Sequence, residues 1–481
     1  MLIPPPLLSA LDAVRQAGGR PRLVGGCVRD WLLGIQAKDY DVEVGRMQFD
    51  QLHRSLTPFG PTDVVGRSFG VIKIRIDGNE YDFSLPRRES KTGSGHRGFY
   101  VKPEPDLSDE LAAARRDFTI NSISFDPFRN CLIDPHGGER DLKAGLLKHT
   151  SEAFAEDPLR VLRAMQFAAR FDLRLDPTTA ALCNEISDTF YELPLERIWG
   201  EWNKWATQSR TPSRGLTVLA QTGWLRHFPE IAAMRGTPQE PEWHPEGDVF
   251  QHTQHCLDAL AKLESWTTGT PQRRRILCFA VLAHDFGKPC TTSYAERRGV
   301  MRWISPGHEA AGGPYSETFM QRIGAPKDLH EPVRALVVHH LLHHHQNRPS
   351  YSDTQLRRLA RRLVPATIDD LCEVMSSDAM GRPPMNPASS MHLIRELRAQ
   401  AQILQLRTEP PRPLLLGRHL LAMDMKPGPH LKPILDAAFE AQLDGVFFDE
   451  AAALSWVRNH LDGKPNPPPQ APPPETQHPE D

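Results

Sequence analysis

The chain has 481 residues, 39% hydrophobic and 24% charged, with a formal net charge of −3. That length accommodates several globular modules, and the near-neutral balance excludes nucleic-acid binding by overall charge, leaving local basic faces to hold any RNA. No run of about 18 apolar residues exists, which excludes a membrane-spanning helix. The start, MLIPPPLLSALDAVR, lacks the basic segment and small-residue cleavage site of a secretory signal. Seven cysteines without a CxxC pair argue against a disulfide framework or a cysteine zinc cluster and point to a reducing cytoplasm.

In chain order, RLVGG, YDVEV and GVIKIRI read as strands, and CVRDWLLG between the first two as a short helix. NEYDFSLP forms another strand after a hairpin turn at Asp77-Gly78-Asn79. KTGSGHRGFYVKPEP is Gly/Ser/Lys-rich and without period, so a mobile loop is predicted there, and NSISFDP and NCLIDP resume strand character. From about Asp157 to Leu461 the spacing is helical, as in PLRVLRAMQFAARF. TPQEPEWHPEGD reads as a linker into a His-rich module, and the proline-dominated residues 463–481 as disordered. The predicted organisation is an α/β head with a small mixed sheet (1–150), then an all-helical neck (151–235), His-rich module (236–395) and tail (396–462).

Asp39 and Asp41 stand two apart in KDYDVEV, so on a strand both carboxylates face one spot. Such hard oxygens suit Mg²⁺, and Asp82 in YDFSLP can add a third. Gly25 and Gly26, between a strand and the helix that carries Arg29, allow backbone N–H groups to approach a triphosphate. Each feature alone also has a plain reading: solvated acids at a strand end, a tight turn, an Arg29–Asp30 pair.

In order, LVGGCVRDWLLG and KDYDVEV resemble the signature of the nucleotidyltransferase superfamily, in its class II CCA-adding and poly(A) polymerase branch. RRDFTINS resembles that branch's ribose-recognition segment, with Arg116, Asp117 and Asn121 at the matching places; SEAFAEDPLRVLRAMQFAARF resembles its nucleobase-reading segment, and ERIWGEW the helix behind it. The resemblance implies that Asp39, Asp41 and Asp82 are catalytic, the first two holding Mg²⁺. It places the triphosphate on Gly25, Gly26 and Arg29, the sugar on Arg116, and the base on Asp157 and Arg160, with Arg163 one turn on. A fixed carboxylate acceptor and guanidinium donor can imitate a template base, accepting CTP or ATP and leaving a wrong base unpaired. Asp157 is equally a good helix N-cap. By the same resemblance, the segment RRESKTGSGHRGF is a loop that switches the base site from C to A.

His284-Asp285 closes ILCFAVLAHDFGKP, an apolar helix expected to end at Gly287. With His252, His308, His339 or His340, and Asp378, the order resembles the HD phosphohydrolase superfamily and implies a divalent metal of unspecified identity; His244 and His255 fit the order less well. The run His343 to His345 needs no role. Head, neck and HD module together resemble the bacterial multifunctional CCA-adding enzymes. That implies addition or repair of the tRNA 3′-CCA from CTP and ATP, with hydrolysis of RNA 2′- or 2′,3′-cyclic phosphates by the HD module. A poly(A) polymerase, an A-only or CC-only enzyme, or an HD phosphohydrolase with an inactive RNA-binding head are the alternatives. LRRLARRL, at 356–363, offers arginines for phosphates or an exposed amphipathic face.

Overall fold

The computed structural model describes residues 1–37, 39–65, 70–91, 99–342 and 351–463. The chain divides into two compact units, Met1–Ala232 with Arg322–Gly324, and Ala233–Gln321 with the chain from Ala325 onward.

In the first unit a seven-stranded sheet has the order β3-β4-β5-β2-β1-β8-β9. The strands are β1 (Arg20–Val24), β2 (Asp41–Gly45), β3 (Thr62–Val65), β4 (Val71–Ile76), β5 (Asn79–Ser84), β8 (Ser124–Asp126) and β9 (Cys131–Ile133). β2 and β5 pair in parallel and the other neighbours antiparallel, so the sheet is mixed. Alternation assigns its two faces. Val42, Val44, Ile72, Ile74, Tyr81 and Phe83 enter a core with Leu7, Leu11 and Val14 of the helix Pro5–Gln16. Asp41, Glu43, Lys73 and Asp82, at the intervening positions, lie on the opposite face. The turn at Asp77 and Gly78 has φ of 47° and 82°, the left-handed pair that a tight hairpin needs.

The predicted loop at 91–105 is corrected in part. β6 (Arg87–Lys91) and β7 (Phe99–Pro103) form an antiparallel ribbon of their own. Its alternating β-branched and aromatic residues are few, which hid it. Residues 92–98, the rest of the proposed switching loop, lie outside the described residues.

The neck begins at the helix Leu159–Phe171, which packs against the helices Leu195–Gln208 and Pro212–Gln221. Trp202, Trp205 and Trp224 are fully buried in this unit. The second unit is built on helices at Val249–Leu260, Pro271–Ala283, His330–His339, Asp353–Leu363 and Ile368–Met380. Its tail helices, Leu431–Leu443 and Glu450–Leu461, share a cluster of Leu415, Leu420, Phe447, Trp456 and Val457.

Two further expectations are corrected. The helix before His284 ends at Ala283, and His284–Gly287 form a turn. The region beyond Asp157 is not wholly helical: Ser293–Arg297 and Val300–Ile304 form a hairpin, whose turn residues Arg298 and Gly299 have φ of 54° and 80°. The arginines at 356–363 lie on a helix face that is exposed at Arg361 and Arg362, and three have partners: Arg358 bonds Asp444 at 2.8 Å, Arg361 pairs with Glu440, and Arg357 lies over Phe448. The His343 to His345 run and residues 464–481 lie outside the described residues. Among the described residues, no helix is long and apolar enough to cross a membrane.

Candidate active sites

In the head, register does what sequence spacing was expected to do. Asp41 stands directly across from Asp82 on the parallel neighbour, and across from Val24 on β1, just before Gly25. Asp39 is exposed and precedes β2 rather than lying on it. It still raises the Asp41 carboxyl: removal of water raises it most, Arg116 opposes, and Asp82 and Asp39 add repulsion. Three carboxylates that repel one another on an accessible face fit a hard divalent cation. Gly25 has φ of 73°, and a Cβ there would lie 3.0 Å from Arg116 Nη1 and 3.7 Å from Asp41 Oδ2. The left-handed φ favours glycine here, and the nearest neighbour is the movable end of Arg116.

Arg29 takes the plain reading in this structure. Its guanidinium is buried, donates to Asp30 at 2.6 and 2.9 Å and to Asn121 Oδ1 at 2.6 Å, and lies over Phe171 at 4.4 Å. Asn121 in turn donates to Asp117, and Asp117 accepts from Arg163 at 2.8 Å and from the Phe118 N–H. Burial would raise Asp117, yet Arg163 and these hydrogen bonds hold it below the usual carboxylate range. Arg29, Asn121, Asp117 and Arg163 are thus joined by one polar chain from the helix Gly26–Leu32 to the helix Leu159–Phe171.

Asp157 lies just before that second helix. Its Oδ1 accepts from the Leu159 N–H at 3.1 Å, so it does act as a cap. It also receives both ends of the Arg197 fork, at 3.2 and 2.9 Å. Arg160 donates to the carbonyls of Ala153 (2.6 Å) and Arg115 (2.9 Å). Both groups are therefore held by fixed partners, as a template-like pair requires.

The second unit brings His252, His284, Asp285, His308 and Asp378 into one buried cluster, with His340 rather than the half-buried His339. Three imidazoles are oriented alike. Nδ1 of His284, His308 and His340 donates to the carbonyls of Val281, Ser305 and Val337 at 2.7–2.8 Å. Nδ1 of His252 meets Glu246 Oε1 at 2.7 Å. Each Nε2 is turned inward, where a cation can take the place of its proton, the arrangement of metal-ligating histidine. No well-aligned hydrogen bond reaches Asp285 Oδ1 or the Nε2 atoms of His308 and His340.

The charges agree. Burial opposes ionisation of Asp285, but His284 and Lys288 hold it well below the usual range, while burial lowers His284 and Asp285 overrides this to raise it to about 10. The centre demands positive charge, and a divalent cation satisfies that demand with ligands already in place. A cavity of about 1060 Å³ opens onto Asp285, His308 and His340 and is walled by Trp243, Arg297, Arg298 and Trp303.

Residues 21–148 match the Poly A polymerase head domain family. A multifunctional CCA protein of Chromobacterium violaceum is 39% identical over 344 residues, 70% of this chain and 78% of the relative. One of Xanthomonas campestris is 37% identical over 371 residues, 75% of this chain and 85% of the relative. The chain belongs to the multifunctional CCA protein family. The fold agrees: the crystal structure of the Bacillus stearothermophilus CCA-adding enzyme in complex with CTP covers 96% of this chain at a TM-score of 0.62 and 20% identity. The Thermotoga maritima CCA-adding enzyme complexed with tRNA covers 95% at 0.54 and 19%.

Within this multifunctional CCA family member, sequence reasoning missed six side chains. Arg197 sits inside the ERIWGEW helix, but its partner Asp157 lies far upstream on another element, so no local spacing pairs the two. Glu246 and Gln239 come from the stretch read as a linker, which instead lays Glu246 on His252 and Gln239 on Lys288 (2.7 Å). Lys288 Nζ lies 2.8 Å from Asp285, and Arg382 bonds Asp378 at 2.9 Å. Cys256 shares the face of His252 one turn on.

Proposed function

We propose that this chain adds or repairs the CCA end of tRNA from CTP and ATP without a nucleic-acid template, and acts in the cytoplasm, the compartment that suits its seven free cysteines. The observation that carries the reading is the Asp41–Asp82 register beside Gly25, in a chain of this family. Asp41, Asp82 and Asp39 would hold Mg²⁺. Bound there, it would activate the ribose 3′-hydroxyl and neutralise the departing pyrophosphate. Gly25 and Gly26 give the triphosphate room, and Arg116, beside Gly25 and Asp41 and 3.8 Å from Glu43, supplies a cation. Arg29 acts one step back, holding Asn121 and through it Asp117. Asp157 and Arg160 select the base, the first held by Arg197. The chemistry asks for positioning and charge, with no covalent enzyme intermediate.

The second unit supports a second activity, favoured by its preformed cluster. His252, His284, Asp285, His308, His340 and Asp378 would hold divalent metal, which would supply hydroxide for attack on a phosphate ester. Lys288 and the arginine-lined cavity suit RNA ends that carry 2′- or 2′,3′-cyclic phosphate. The test incubates the protein with tRNA transcripts ending before CCA, after C and after CC, and sequences the products. CCA completion on all three is expected. Long A tails, or addition of A alone, would overturn the first reading; intact cyclic phosphate under every divalent metal tried would overturn the second.

A further inference from the structure

Cys256 lies four residues after His252 on the helix Val249–Leu260, so both side chains leave the same face. The thiol is fully buried, and its Sγ is 3.4 Å from His252 Nε2. From that same Nε2, His284 Nε2 is at 3.4 Å and Asp378 Oδ1 at 3.2 Å. The donor atoms of His252, Cys256, His284 and Asp378 all lie within 4.8 Å of one another. Metal–nitrogen, –oxygen and –sulfur bonds of about 2.0–2.3 Å give tetrahedral edges of roughly 3.3–3.8 Å. The spacings from His252 are those of a coordination shell. Gly381 lets the sulfur reach this position, because a Cβ there would overlap Cys256 Sγ.

We propose that Cys256 is a thiolate ligand of the cation held by His252, His284 and Asp378. The inference rests on reading the cluster as a metal centre, and adds sulfur to its donor set. Two imidazoles, one carboxylate and one thiolate form a softer set than the all-oxygen site of the head. On binding, the S–H bond is replaced by an S–metal bond and the thiol proton passes to solvent. The plain alternative is a thiol that donates a weak hydrogen bond to His252 Nε2.

The test titrates the metal-stripped full chain with Co²⁺ in excess Mg²⁺, which keeps the head acids occupied, and follows bound metal, visible ligand-field bands and the near-ultraviolet thiolate-to-cobalt charge-transfer band. Cys256→Ser and His284→Ala run in parallel. Expected are a charge-transfer band in the parent, its loss in Cys256→Ser with ligand-field bands retained, and metal affinity at least about tenfold weaker. Bound cobalt without the band, or a band that persists in Cys256→Ser, overturns the thiolate and leaves the metal centre standing. If the parent retains no cobalt and His284→Ala behaves identically, the metal centre itself fails. Should Cys256→Ser not fold, X-ray absorption of the Zn²⁺-loaded parent decides: a sulfur neighbour supports the proposal, and an N/O-only shell refutes it.

Discussion

The two centres of this chain solve charge concentration in opposite ways. In the head, carboxylates sit on an accessible sheet face, repel one another, and have few protein partners; Asp82 keeps about 38% of its side-chain surface. In the second unit the acids are buried, and every inward-facing imidazole is held from behind. The first design leaves coordination positions for a nucleotide's phosphates to fill. The second is complete before substrate arrives. Preorganisation therefore belongs to the chain at one centre and to chain plus substrate at the other.

The largest effect that can break this comparison is expected from Asp41→Ala. Nucleotide addition should fall on the order of 10³-fold, about 4 kcal/mol of transition-state stabilisation, while hydrolysis of 2′,3′-cyclic phosphate persists; parallel assays of both activities check it. His284→Ala should do the reverse. Glu246→Gln removes the carboxylate behind His252 and should weaken metal binding by about 10- to 100-fold, read by competitive titration with a chelator. Breaking the buried Asp117–Arg163 pair with Asp117→Ala should cost about 3 kcal/mol or more of stability, measured by urea unfolding. Arg197→Ala frees Asp157, and misincorporation of GMP or UMP should rise about tenfold, as if one buried hydrogen-bonding partner were lost; product sequencing reads it.

The smallest effect concerns pH. Asp41 has its folded-state pKa raised, so its contribution to stability is full below the ordinary carboxylate range and is lost as pH rises through the raised value. Asp41→Asn should then lift the metal-free unfolding temperature at neutral pH by about 2 °C and leave it unchanged in strong acid. Mg²⁺ should stabilise the parent at neutral pH but not the variant.

Much of this was legible in the sequence, for reasons that differ by region. The sheet strands showed because one face is apolar and the other polar; alternation put Asp41 and Asp82 on polar faces, and the parallel register of β2 and β5 sets them across from each other. Asp39 could not be placed, since where β2 begins depends on pairing with β1 and not on local spacing. The hairpin at 293–304 escaped because both its faces are largely exposed and carry mixed side chains, although Arg298-Gly299 is a turn signal. At the second centre the order of histidines and aspartates was readable, and the choice of His340 over His339 was left to the helix end that turns one inward. Arg29 had two readings, a phosphate partner and an Arg29–Asp30 pair; the fold shows that pair and adds Asn121, which no local spacing could supply.

The three carbonyls behind His284, His308 and His340 belong to residues 281, 305 and 337, each three positions upstream of its imidazole. Main-chain acceptors survive any side-chain exchange at those positions, so mutational drift cannot easily misalign these rings. His252 differs: its Nδ1 leans first on a side chain, Glu246 at 2.7 Å, with the Gly381 carbonyl farther off at 3.2 Å. Variation in how tightly related chains grip their ion should therefore concentrate at that one acidic position, which makes it the natural dial for an engineer as well.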